Sequence, residues 1–219
     1  MEIKADKKVF YLIYLLISIA LYCLPNFIFA ERFYIIKYLG IRVYDLALPS
    51  LLWVCRIIFV IVTYFWGLRI ELFKSEYTFS VKTVLRLVIL GSLLYLFNLF
   101  MAGLQFHYFP NLTNSNQQSI SLYYHIMPSF FWVDSVVLGP YFEELTFRGL
   151  SFAVFPKWLA ILIAIFGFSL WHTFSLSAFL YLPTALTMTI LYCKTKNLRI
   201  PILVHMIHNL ISVTIFLSS

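Results

Sequence analysis

Seven stretches of this chain are long and apolar enough to be membrane spans, and that pattern limits the fold more than any other feature. A helix that crosses a bilayer needs about 20 mostly apolar residues. Such stretches fall at 9–30, 46–68, 84–104, 129–155, 158–174, 178–193 and 200–217. The fifth and sixth are short, and Pro183 interrupts the sixth. Composition points the same way. Hydrophobic residues make up 62% of 219 positions and charged residues 11%, whereas a soluble domain carries about 25% charged residues. The expectation is an all-α, polytopic transmembrane helical bundle of about seven spans with no separate soluble domain.

The formal charge of +7 is not gathered into a nucleic-acid-binding block, so nucleic acid is not expected as a partner. The basic residues sit in short segments between apolar runs, where they act as topology determinants. They occupy the N-terminus (Lys4, Lys7, Lys8), the loop after the second run (Arg69, Lys74, Lys82), Lys157, and the loop after the sixth (Lys194, Lys196, Arg199). Residues 105–125, the turn between the fifth and sixth runs and the C-terminal tail have none. The alternation predicts the N-terminus inside and the C-terminus outside. Segment 31–45, with Arg32, Lys37 and Arg42, breaks the pattern; it reads as an interfacial amphipathic helix, or the first run as re-entrant. Lys7 and Lys8 before an apolar run resemble a signal peptide. The run exceeds the usual 7–15-residue core, and Ile28 is large for the position three before a cut, so a retained first helix is expected. Cys23, Cys55 and Cys193 form no CxxC pair and read as small buried hydrophobes. Segment 111–119 reads as a solvated linker, and its sequon at Asn111 as a chance occurrence.

Ionisable residues inside spans are costly, which makes each a functional candidate. Here they are Arg56, Asp134, Glu143, Glu144, Arg148, His172, His205 and His208. Three local patterns emerge. In Glu143-Glu144-Leu145-Thr146-Phe147-Arg148, the i,i+4 spacing lets Glu144 pair with Arg148. Glu143, rotated by about 100°, faces elsewhere. In Phe168-Ser169-Leu170-Trp171-His172 a lone imidazole sits in an apolar run. In His205-Met206-Ile207-His208-Asn209, His205 and Asn209 share a face and His208 is rotated off it. Singly, these patterns fit an ion-pair cluster, a packed histidine and interhelical hydrogen-bonding glue. Arg56 could snorkel, pair with Asp134 or mark a misplaced helix.

Taken together, the patterns supply the groups for water-mediated acyl hydrolysis. A carboxylate in low dielectric can serve as general base, with an imidazole sharing the proton. A second imidazole and an amide N–H can stabilise a tetrahedral oxyanion.

At these motifs the chain resembles the CPBP family of intramembrane proteases, the CAAX prenyl endopeptidases and their bacterial relatives. That family carries EExxxR, FxxxH and HxxxN in this order, and all three stand here, so the resemblance covers roughly 129–217. It divides the chain into N-terminal transmembrane helices with a polar loop, 1–128, and a catalytic helical core, 129–217. It implies a metal-independent, glutamate-dependent endopeptidase acting on a membrane-associated peptide or protein, with no cofactor. Glu143 looks like the general base, working with His172. His205 and Asn209 resemble the oxyanion pair, and Glu144 and Arg148 the supporting residues that order the site. Compact size suggests, by analogy, a bacterial plasma membrane.

Rival readings find less support. Glu and two His could bind zinc, but HExxH is missing and the ligands would come from three helices. Neither GxSG nor paired GxGD occurs, and no inverted repeat suggests a transporter. The family resemblance also includes non-catalytic membrane proteins of bacteriocin immunity and sensor regulation. In that alternative the polar cluster would grip a partner rather than cleave it.

Overall fold

The computed structural model describes residues 5–30, 41–69, 73, 80–112, 124 and 127–218. Among them the chain is all-α, with seven helical rods. Packing divides it into two units, Met1–Leu72 and Phe73–Ser219. The motif-based division at 128/129 is one of function, which packing does not address.

The first unit pairs α1 (Ala5–Ala30) with α2 (Ile41–Arg69). Tyr14, Leu15, Ser18 and Tyr22 are buried on α1, and Leu52, Arg56, Phe59 and Thr63 on α2. Both sets recur at helical spacing, so each helix turns one stripe inward. Tyr14 stacks on Trp66 at 4.8 Å, and its hydroxyl donates to the Thr63 carbonyl. Arg56 lies in this seam. Its guanidinium donates to the Tyr22 carbonyl and covers the Tyr22 ring at 3.5 Å. Of segment 31–45, residues 31–40 lie outside the described residues, and 41–45 begin α2.

The second unit holds α3 (Val81–Tyr108), α4 (a helical run over 128–154), α5 (Lys157–His172), α6 (Leu176–Thr195) and α7 (Arg199–Ser218). Among the described residues, α3, α6, α7 and the Ser50–Leu68 stretch of α2 are each long and apolar enough to cross a membrane, and α5 is a shorter apolar helix. The protein is an integral membrane protein. Its outward faces fit that setting: Leu85, Ile89, Leu96 and Phe100 on α3 are all more than half exposed, which suits lipid rather than water.

The core sits where α3, α6 and α7 meet. Leu87 and Leu94 pack there with Met188, Ile200 and Val204. Gly91 permits the approach: a Cβ at that position would lie 2.7 Å from Ile207 Cγ2 and 3.2 Å from the Val204 carbonyl oxygen. Small residues set close helix–helix contact in membranes, where no hydrophobic force drives helices together.

Helices α4 and α5 are not uniform. Single π-turns interrupt α4 at Asp134–Leu138 and Leu145–Leu150, and α5 at Ile163–Gly167. Each widened turn shifts the helical phase and frees backbone groups, a feature common at functional sites. Helix α5 stops at His172, two residues short of the expected end, because Thr173 is extended (φ −162°, ψ 138°). Pro183 does not interrupt α6. It falls in the first turn of Leu182–Thr195, after the 3-10 turn Leu176–Tyr181, where the missing N–H costs no helical bond.

Candidate active site

Five of the sequence-selected residues converge inside the second unit. The Glu144 carboxylate, fully buried, accepts from Arg148 at 3.1 Å on its own helix. The same oxygen accepts from His205 Nδ1 at 2.9 Å, across to α7. The Arg148 guanidinium, also fully buried, donates further to the carbonyls of Ala164 (3.2 Å) and Ala185 (2.9 Å), and covers the Phe168 ring at 4.6 Å. A buried charge tolerates such a setting only when paired and hydrogen-bonded, and here α4, α5, α6 and α7 all contribute.

Glu143 points elsewhere, as one helical step requires. Its side chain is 14% exposed, against 0% for Glu144. Oε1 lies 3.7 Å from His172 Nε2 and Oε2 lies 3.7 Å from His205 Nε2. These separations exceed direct hydrogen bonds. Oε2 has no hydrogen-bond partner among the described residues. One carboxylate is therefore consumed by structure, while its neighbour meets two imidazoles at a spacing a small polar molecule could bridge.

The orientation of both rings is set from behind. His172 Nδ1–H donates to the Phe168 carbonyl at 2.9 Å, and the ring stacks on Tyr181 at 4.3 Å. His205 Nδ1–H donates to Glu144, and its ring meets Phe168 edge-on at 5.8 Å. In each neutral ring Nε2 then carries the lone pair, turned toward Glu143. Two carboxylates and two imidazoles share one guanidinium in this cluster.

Asn209 stands in different company. Its Nδ2 donates to the Ser135 carbonyl at 2.9 Å and its Oδ1 meets His208 Nδ1 at 2.9 Å. His208 Nε2 in turn lies 3.1 Å from Asn98 Nδ2 on α3, which also donates to Thr184 on α6 at 2.8 Å. Among the described residues, no group of three or more His, Cys, Asp and Glu is spaced to hold a metal ion.

The chain's similarity to known proteins falls on this same region. Residues 125–211 match the family described as type II CAAX prenyl endopeptidase Rce1-like, a segment that holds Glu143, Glu144, Arg148, His172, His205 and Asn209. UPF0177 protein YbdJ of Lactococcus lactis subsp. lactis (strain IL1403) is 35% identical over 123 residues, 52% of this chain and 54% of YbdJ. UPF0177 protein YbdI of the same strain is 37% identical over 87 residues, 38% of this chain and 48% of YbdI. The chain spans about half the length of the curated relatives it matches. No solved structure gives a significant match.

Sequence reasoning missed several neighbours of the site. Asn98 lies outside the three motifs and is not ionisable, although an amide in an otherwise apolar run is itself a signal. Tyr181 and Ser135 carried none, since their roles depend on a ring face and a backbone carbonyl that only packing brings into place.

Proposed function

We propose that this protein is an intramembrane endopeptidase that hydrolyses a membrane-associated peptide or protein with a water molecule activated by Glu143 and His172. The observation that carries this reading is the approach of two Nε2 atoms, of His172 and His205, to one carboxylate, each at 3.7 Å. A water bridging these atoms would give a proton to Glu143 or His172 as its oxygen attacks the scissile carbonyl. The C–O bond forms and the carbonyl π pair moves to oxygen. Asn209 Nδ2–H is an oxyanion donor, and His205 is the second in the form that enters the reaction already protonated on Nε2. Collapse breaks the C–N bond, and the proton first taken from water passes to the leaving amine. Glu144 and Arg148 hold His205 in register.

Peptide hydrolysis of the CAAX-endopeptidase type is consistent with the matched family. The distribution of Lys and Arg supports a cytoplasmic N-terminus and an outside C-terminus, and compact size suggests, by analogy, a bacterial plasma membrane.

The test compares membrane and secreted peptides by mass spectrometry in the wild-type host, a gene deletion, and Glu143→Ala at matched protein level. Loss of the same cleavage products in deletion and variant supports the reading and identifies the substrate. A deletion phenotype that Glu143→Ala fully complements would refute catalysis and point to action by binding.

A further inference from the structure

The three polar side chains beyond the charged cluster form a chain whose direction is fixed by its last member, a backbone carbonyl. A carbonyl can only accept, so the atom of Asn209 that faces the Ser135 oxygen at 2.9 Å must be Nδ2. The amide oxygen then faces His208 Nδ1 at 2.9 Å, which must donate. A neutral His208 therefore has its lone pair on Nε2, and Asn98 must present Nδ2 to it at 3.1 Å. The other N–H of Asn98 donates to Thr184 Oγ1 at 2.8 Å. Reversing any one amide would oppose two acceptors or two donors. Protonating His208 on Nε2 would set its N–H against the N–H of Asn98.

The sequence supplies the free carbonyl that anchors this chain. In the π-turn the Gly139 N–H bonds the Asp134 carbonyl, five residues back. The matching donor for the Ser135 carbonyl would be residue 140, which is Pro140 and has no N–H. An oxygen deprived of its helical partner inside a membrane protein needs another donor, and Asn209 provides one.

We propose that Asn98 and His208 are positioning residues, which lock the Asn209 amide with its oxygen toward His208 and its nitrogen toward Ser135. One Nδ2–H of Asn209 is thereby left for the carbonyl oxygen of a substrate; this last step rests on the hydrolytic reading above. Asn98 lies outside the family-matched segment, so α3 takes part in setting the site rather than only covering it.

The test begins with the ring itself. Full-length protein labelled with 15N-histidine is reconstituted in phosphatidylethanolamine–phosphatidylglycerol bilayers and studied by solid-state NMR. The His208 signals are assigned by their loss in His208→Gln. The expected wild-type ring is protonated on Nδ1 alone. Asn98→Leu should keep that tautomer, whereas Asn98→Asp, which replaces the donor with an acceptor, should place a proton on Nε2. Unchanged His172 signals report an intact fold in each variant. A wild-type His208 protonated on Nε2, or a ring that ignores Asn98→Asp, would overturn the proposal.

The second arm uses the peptide identified by the host comparison. Asn98→Leu and His208→Phe should lower kcat about tenfold with KM little changed, less than the ~10²–10³-fold loss from deleting an oxyanion donor outright. Undiminished kcat in both, with processing still dependent on Glu143, would refute the positioning role. If Glu143→Ala leaves processing intact, the hydrolytic reading fails instead, and the tautomer result still decides the geometry.

Discussion

His205 and His208 lie one turn apart on α7, and their surroundings differ in kind. His205 joins a charged cluster of two carboxylates, a guanidinium and a second imidazole. His208 joins a neutral chain of two amides, a hydroxyl and a backbone carbonyl. The first arrangement needs charge complementarity, because an unmatched ion in low dielectric is costly. The second needs only donor–acceptor order, and each of its links is individually weak. The comparison teaches how one helix can carry two imidazoles held by different means. The charged groups are held by opposite charge, and the Asn209 amide by direction alone.

Breaking the charged side should have the largest effect. Arg148→Ala leaves the Glu144 carboxylate buried with only His205 as its remaining described partner. It is expected to cost about 3–5 kcal/mol, measured by equilibrium unfolding in detergent. Adding Glu144→Gln should recover part of that loss, and the absence of any recovery would argue against ion pairing as its cause.

Glu143→Gln separates chemistry from stability within the same cluster. Processing of the host peptide should fall by about 10²–10⁴-fold, the usual contribution of a general base, while unfolding shifts by less than about 0.5 kcal/mol. A comparable loss of stability would make Glu143 a structural residue like its neighbour.

The seam between α3 and α7 can be opened without touching a charge. Gly91→Leu drives a side chain into Ile207 and toward the Val204 carbonyl, an overpacking expected to cost ~1–3 kcal/mol. Ile207→Ala should partly rescue it. Because Asn98 and His208 face each other across this seam, the His208 NMR signal should move while that of His172 does not.

The smallest effect should come from Asn98→Leu, at about 1 kcal/mol, the loss of two interhelical hydrogen bonds at ~0.6 kcal/mol each in a membrane. A stability loss as large as that of Arg148→Ala would erase the contrast between the two clusters.

How far the site was legible in the sequence follows from the same contrast. The Glu144–Arg148 pair follows from i,i+4 spacing, and it forms at 3.1 Å even beside a π-turn. Glu143, His172 and His205 stood out because ionisable groups are rare in apolar runs, and they meet at 3.7 Å. His208 was visible but had no assignable partner, since its contacts lie 110 residues away in α3 and next door in Asn209. Arg56 likewise showed only its cost; packing of α2 on α1 supplies the Tyr22 carbonyl and ring.

The linear sequence by itself determined the apolar rods, the points where the chain turns and the pairing of charges one turn apart, because each depends on local spacing and transfer energy. Tertiary structure alone decided which imidazoles the unpaired carboxylate of Glu143 meets. It also decided which way the Asn209 amide points. The π-turn and Pro140 together release the Ser135 carbonyl, but only α7 packed against α4 brings the amide that takes it. Donor–acceptor direction is a property of meeting surfaces, and no spacing along one helix encodes it.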